Sequence, residues 1–315
     1  MSGPVSDIAL SQAIANGTKR EIAGKRCVYY DGYWIKLYEP PADTLSAKKS
    51  LIESLTRRLF NHVEHGINIP GRRLEEARSA YERETDPERK RVNRAMLAGA
   101  YFNRAADIFT KLVELQELGV AIDQSNELMR QCGRCLMQAL ELGKAVRHRS
   151  GDEAIDELWG EPFKAFSIPV EEFYESRYLK IAQTMGNIDR IADALVGAFA
   201  GVTLFAGVEV PIRAFAGAAK LKCETLRTDP VIFDVWPTFV VAGERLSAFA
   251  NALAGATAET QLAADGRQLI EDGKDLLTYV TRARVPMPKS TGDFVSRCEG
   301  FGRSWGRGTM PPTPS

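Results

Sequence analysis

Apolar residues recur every three or four positions along two consecutive stretches of this chain, and that spacing limits what the chain can fold into. Tyr101, Ala105, Ile108, Leu112 and Leu115 form the first series, and Leu128, Cys132, Cys135, Ala139, Leu142 and Val146 the second. At 3.6 residues per turn such positions share one face, so each stretch predicts an amphipathic helix with a packing seam. Gly119-Val120-Ala121 breaks the pattern between them. A connection that short favours antiparallel neighbours.

Helix punctuation extends the reading in both directions. Asp43 or Thr44 can cap a helix running to about His65, where Gly66 suits its end. Pro70 can open the next helix, and Thr85-Asp86-Pro87-Glu88 the one after. Further helices are expected at about 170–200, 211–227, 230–256 and 258–284, with Pro286 and Pro288 ending the regular pattern. One segment alone reads as β. Cys27-Val28-Tyr29-Tyr30 and Tyr33-Trp34-Ile35-Lys36-Leu37-Tyr38 flank Asp31-Gly32, the turn chemistry of a type I′ hairpin. A lone hairpin is marginal in water, so one face of its five aromatic rings should pack against helices. The expected fold is all-α, a multi-helix bundle with antiparallel long helices and one N-terminal β-hairpin.

The expected organisation is an arm over 1–40, a helical subdomain over 41–150, a linker-like stretch over 151–169, a second helical subdomain over 170–286 and an extension with a mobile tail over 287–315. Gly151, Gly160, Pro162 and Pro169 suggest the linker, and the Gly, Arg, Pro and Ser content of residues 300–315 suggests the tail. The 41 basic residues balance the 41 acidic ones, so no overall basic excess points to nucleic acid. Residues 1–17 show no basic leader followed by an apolar core, and five cysteines are better read as reduced thiols than as a disulfide framework. A cytoplasmic protein is expected.

The candidate chemistry clusters on two helices. His62-Val63-Glu64-His65 and Cys132-Gly133-Arg134-Cys135 each place two ligands three residues apart, so facing helices could offer His62, His65, Cys132 and Cys135 to a tetrahedral Zn²⁺. The plainer reading puts both cysteines on the apolar seam as small hydrophobes and His62 in the arc of Leu51, Leu55 and Leu59. The CxxC can also be read as a redox pair beside Arg134, although such pairs usually follow a strand and a helix precedes this one. Arg57 with His62, and Arg58 with His65, resemble the Arg–His motif of helical HEPN-type ribonucleases; that resemblance implies an arginine on the phosphate and a histidine handling the proton. Asp152-Glu153-Ala154-Ile155-Asp156 resembles the aspartate-rich motif of helical prenyl-transferring enzymes, whose matching second motif is missing here. A glycine-rich phosphate loop, HExxH, serine elbow and paired ExxH motifs are likewise lacking.

The apolar segment from Ile191 to Lys220 allows a different use. Its Gly197-Ala-Phe-Ala-Gly201 has the small-xxx-small spacing of close-packed membrane helices. Its uncharged run, Ala194 to Val208, is fifteen residues, short of the roughly 20 a span needs, and Glu209 and Arg213 interrupt the continuation. The expectation is therefore a protein-interaction or assembly protein without catalytic residues or a resident cofactor, acting on a protein partner or by self-association. A membrane-inserting protein using 191–220 and a metal- or thiol-dependent enzyme are the alternatives.

Overall fold

The computed structural model describes residues 14–62, 74–145, 152–200 and 261–308, with short pieces at 209–210, 212–217, 244–245, 247–248 and 251. Helices dominate it, with a small antiparallel sheet at the N-terminal end. The expected fold class is the one observed.

The long-helix seam forms as the spacing requires. Helix α3 (Pro87–Glu117) starts at Asp86, whose carboxylate accepts from the Arg89 amide at 2.9 Å, with Pro87 in the first turn. Gly119, at φ +85°, ends it by donating to Gln116, and Val120 donates to Leu115 at 3.0 Å. That is a Schellman stop, and it turns the chain sharply. Helix α4 (Glu127–Gly143) opens at Asn126, whose side chain accepts from Leu128 and Met129. It returns along α3, the most extensive helix pairing among the described elements. The buried line on α4 is Cys132, Leu136, Ala139 and Gly143. Cys135 and Leu142 are half-buried and Leu128 is exposed, so the seam lies slightly off the expected phase.

Two further helices precede this pair: α1 (Leu45–His62), capped by the Thr44 hydroxyl on the Ala47 amide, and α2 (Leu74–Arg83). The proposed start at Pro70 lies outside the described residues. The stretch expected to be linker-like is instead helix α5 (Asp152–Ser167), with Pro162 inside it. Proline removes one hydrogen bond, but Leu158, Trp159 and Ala165 are buried, and that burial holds the helix across the gap.

Helix α6 (Val170–Ala198) occupies the centre, touching the sheet, α5 and the last two helices, α7 (Gln261–Ala283) and α8 (Pro288–Gly308). Its buried residues go around most of its surface. The expected C-terminal extension is therefore helical through residue 308. Phe294, Cys298 and Phe301 bury a face of α8, and Phe301 meets Phe199 at 5.1 Å between ring centres. The link from α7 to α8 is buried, with Arg284 and Met287 at positive φ and Asn187 donating to the Pro286 carbonyl at 2.7 Å. The proposed helices at 211–227 and 230–256 fall largely outside the described residues.

The sheet has the order β1-β2-β3: Lys19–Ile22, Lys25–Tyr30 and Tyr33–Lys36. The Asp31-Gly32 turn is as expected, both residues at positive φ. The extra strand β1 joins through Ala23 and Gly24, also at φ +49° and +74°. Ala-Gly lacks the Asn or Asp that marks such a turn, and Lys-Arg-Glu-Ile has no apolar alternation. The inner face packs on α6: Val28 and Ile35 are buried, Tyr30 stacks on Tyr178 at 5.8 Å, and Tyr33 donates to Asp189 at 2.9 Å. Burial and that hydrogen bond push the Tyr33 phenol up to about 12.

Candidate functional site: a pocket on the CxxC helix and a buried charge cluster

Where α1, α3 and α4 meet, small side chains leave a cavity of 220 Å³. Its floor is Phe102, Ala105, Phe109, Cys132 and Leu136, all buried. The α1 wall carries Ile52 and Thr56, and its rim carries Lys49, Glu53 and Arg57. Lys49 and Glu53 lie one turn apart and pair at 3.7 Å. The mouth is thus charged and the interior apolar, with Asn103 the polar group on the α3 side.

The CxxC contributes its first cysteine to this floor. The Cys132 thiol donates to the Ala105 carbonyl at 3.3 Å, and burial, followed by the field of Cys135, pushes its pKa up to about 12. Burial raises Cys135 as well, although Arg104, Arg134 and Arg78 pull the other way. Both are free thiols. A nucleophile or metal ligand must be a thiolate, and here the surroundings favour the neutral form. Maleimide labelling of the native protein at neutral pH should leave Cys132 unmodified for hours, with full labelling in denaturant. Rapid native labelling at Cys132 would show that its helix opens readily and would return the thiol to the list of reactive groups.

His62 is the last residue of α1; its side chain, and all of His65, lie outside the described residues. Among the described residues no group of three or more His, Cys, Asp or Glu side chains gathers as a metal site.

One residue beyond the rim, α1 turns a charge inward. Arg57 and Arg58 are about 100° apart on the helix, so Arg57 reaches the rim while Arg58 enters the core. Arg58 donates to Glu161 on α5, Arg177 of α6 donates to the same carboxylate at 2.7 Å, and Lys180 reaches it at 3.3 Å. Arg58, Glu161, Arg177 and Arg284 are all nearly inaccessible. Burial alone would raise the Glu161 carboxyl, but Arg58, Arg177 and Lys180 hold it well below the usual carboxylate range. Burial lowers Arg58 to about 10, with Glu161 opposing, so it stays charged at neutral pH. Its Nε and Nη1 have no partner. The Arg58 guanidinium is thus engaged inside the protein, away from any surface where a ribonuclease arginine would meet phosphate.

Glu161 and Arg177 were not singled out from sequence, although a signal existed. Arg58 sits between Leu55 and Leu59, Glu161 follows Leu158-Trp159, and Arg177 lies between Phe173 and Ile181. A charge inside an apolar stripe requires a partner.

In the segment read as a membrane alternative, Leu195, Ala198 and Phe199 are buried and residues 201–208 lie outside the described set. Arg213 pairs with Asp193 at 2.8 Å and with Glu209 at 2.9 Å. No helix among the described residues is long and apolar enough to cross a membrane. Comparison with protein-family models, with curated proteins and with solved structures returned no match.

Proposed function

We propose that this chain is an α-helical interaction protein that receives an apolar anchor side chain of a protein partner in the cavity between α1, α3 and α4. One observation carries the reading: the cavity combines an apolar floor with a charged mouth and a volume of 220 Å³. Clefts for small molecules usually measure about 300–1,000 Å³, so this one is better matched to a single large side chain. Interfaces concentrate their binding energy on such anchors, commonly a Leu, Phe or Trp presented by an amphipathic helix. The rim cations Lys49 and Arg57 and the anion Glu53 would then meet polar groups beside the anchor and set its orientation. The neutral thiol at the floor supports a packing role for Cys132.

Filling the cavity tests this. Ala106 lines it yet is exposed, so Ala106→Trp can occupy the space at a cost below about 0.5 kcal/mol in stability. A photo-crosslinking residue at Glu53 should yield one adduct of defined mass in cells of the source, and Ala106→Trp should abolish it. If the adduct persists after filling, or forms equally from a probe at Glu141 on α4, the cavity is not the docking site.

A further inference from the structure

The sheet's outer face is built unlike its inner one. Strand register places Tyr29 opposite Trp34, Cys27 opposite both Arg20 and Lys36, and Lys25 opposite Ile22. These residues alternate with the core-facing Val28, Ile35, Tyr30 and Tyr33, so they share the side turned away from α6. Tyr29 and Trp34 are half-exposed and meet each other edge to face at 5.3 Å, whereas Tyr30 and Tyr33 pack on the core. Arg20, Lys25 and Lys36 are exposed around them, and the paired registers of this face carry no carboxylate. Residues 19–36 hold five cations, Lys19, Arg20, Lys25, Arg26 and Lys36, against Glu21 and Asp31. In a chain with balanced charge, that excess is local.

From this arrangement we infer that the outer face of the sheet binds single-stranded nucleic acid, with bases stacked on Trp34 and Tyr29 and phosphates neutralised by Arg20, Lys25 and Lys36. Two requirements meet here. Unpaired bases need flat apolar rings reachable from solvent, and the backbone needs cations within a side-chain length of those rings. Duplex would bury its base faces and gain only the electrostatic part. An acidic peptide would satisfy the cations but leave the rings without a flat partner. The surface is separate from the pocket between α1, α3 and α4, and binding there does not depend on the pocket's role.

Fluorescence anisotropy with the full chain and a labelled oligouridylate of about twelve nucleotides tests the inference. Saturable binding is expected at about 50 mM salt, weakening steeply towards about 200 mM. Trp34→Ala and Tyr29→Ala should each weaken it about tenfold, and Lys25→Glu should weaken it while reducing the salt dependence. Trp34→Phe, which keeps a stacking face, should retain most of the affinity. All three side chains point away from the core, so unchanged unfolding midpoints will confirm that the four variants are folded. No binding at high protein concentration overturns the inference, as does undiminished binding by the two alanine variants. Equal or tighter binding of polyglutamate, or of the duplex, would overturn it in favour of a purely electrostatic surface.

Discussion

Glu161→Gln should lower the stability of this protein by about 3–5 kcal/mol in equilibrium urea unfolding. The carboxylate accepts from Arg58, Arg177 and Lys180 and is the anion that the two buried arginines share. Glutamine keeps the volume but removes the charge, leaving both guanidiniums in a low-dielectric interior without their counter-ion. Arg58→Met should be milder, because Glu161 keeps Arg177 and Lys180 and two unpartnered buried donors disappear with the guanidinium. The same carboxylate makes a pH prediction. Its folded pKa lies below the unfolded value of about 4.3, so its stabilisation is complete above that value and is lost as pH falls through it towards the folded pKa. Wild type should therefore lose stability below about pH 4.5 more steeply than Glu161→Gln does. A variant within about 1 kcal/mol of wild type at neutral pH, or with the same acid slope, would show that the cluster contributes little.

Gly143→Ala should destabilise by about 1–3 kcal/mol, although alanine is the better helix former by about 1 kcal/mol. Gly143 lies on the buried face of α4 with the Trp159 ring against its backbone. An added Cβ would fall within the ring's contact envelope, 2.7 Å from Cζ3 and nearer still to Cδ2 and Cε3. The ring cannot easily give way. Trp159 is completely buried, and Phe102 stands at 5.1 Å between ring centres. Combining Gly143→Ala with Trp159→Leu should give a total loss smaller than the sum of the two single losses, because the smaller side chain removes the clash. Strict additivity, or a Gly143→Ala protein more stable than wild type, would mean that α4 and α5 adjust without cost.

Several elements were legible because their cause is local. The Asp86-Pro87 start, the Gly119 stop and the Asp31-Gly32 turn depend on the φ preferences and side-chain hydrogen bonds of the residues that form them. The seam spacing on α3 and α4 depends only on helical periodicity. Strand β1 was not legible because it carries neither an apolar alternation nor a marked turn; its pairing with β2 makes it a strand. Helix α5 runs against its local signals for the converse reason, since Gly160 and Pro162 weaken the local preference while the burial of Trp159 overrides it.

The candidate sites divide in the same way. The pair Cys132 and Cys135 stood out by spacing, yet which of them lines the pocket depends on the rotation of α4 against α3, and a seam shifted by a fraction of a turn selected Cys132. Arg57 and Arg58 are equivalent as letters. One became a rim cation and the other a core ion because α5 brings Glu161 against a single face of α1. By itself the sequence determined the helical class, the antiparallel long pair and the Asp-Gly hairpin, since short-range sterics and the 3.6-residue period suffice for those. Only the tertiary structure decided the pocket, the partners of Glu161 and the outward turn of Tyr29 and Trp34, because each depends on distances between residues far apart in the chain.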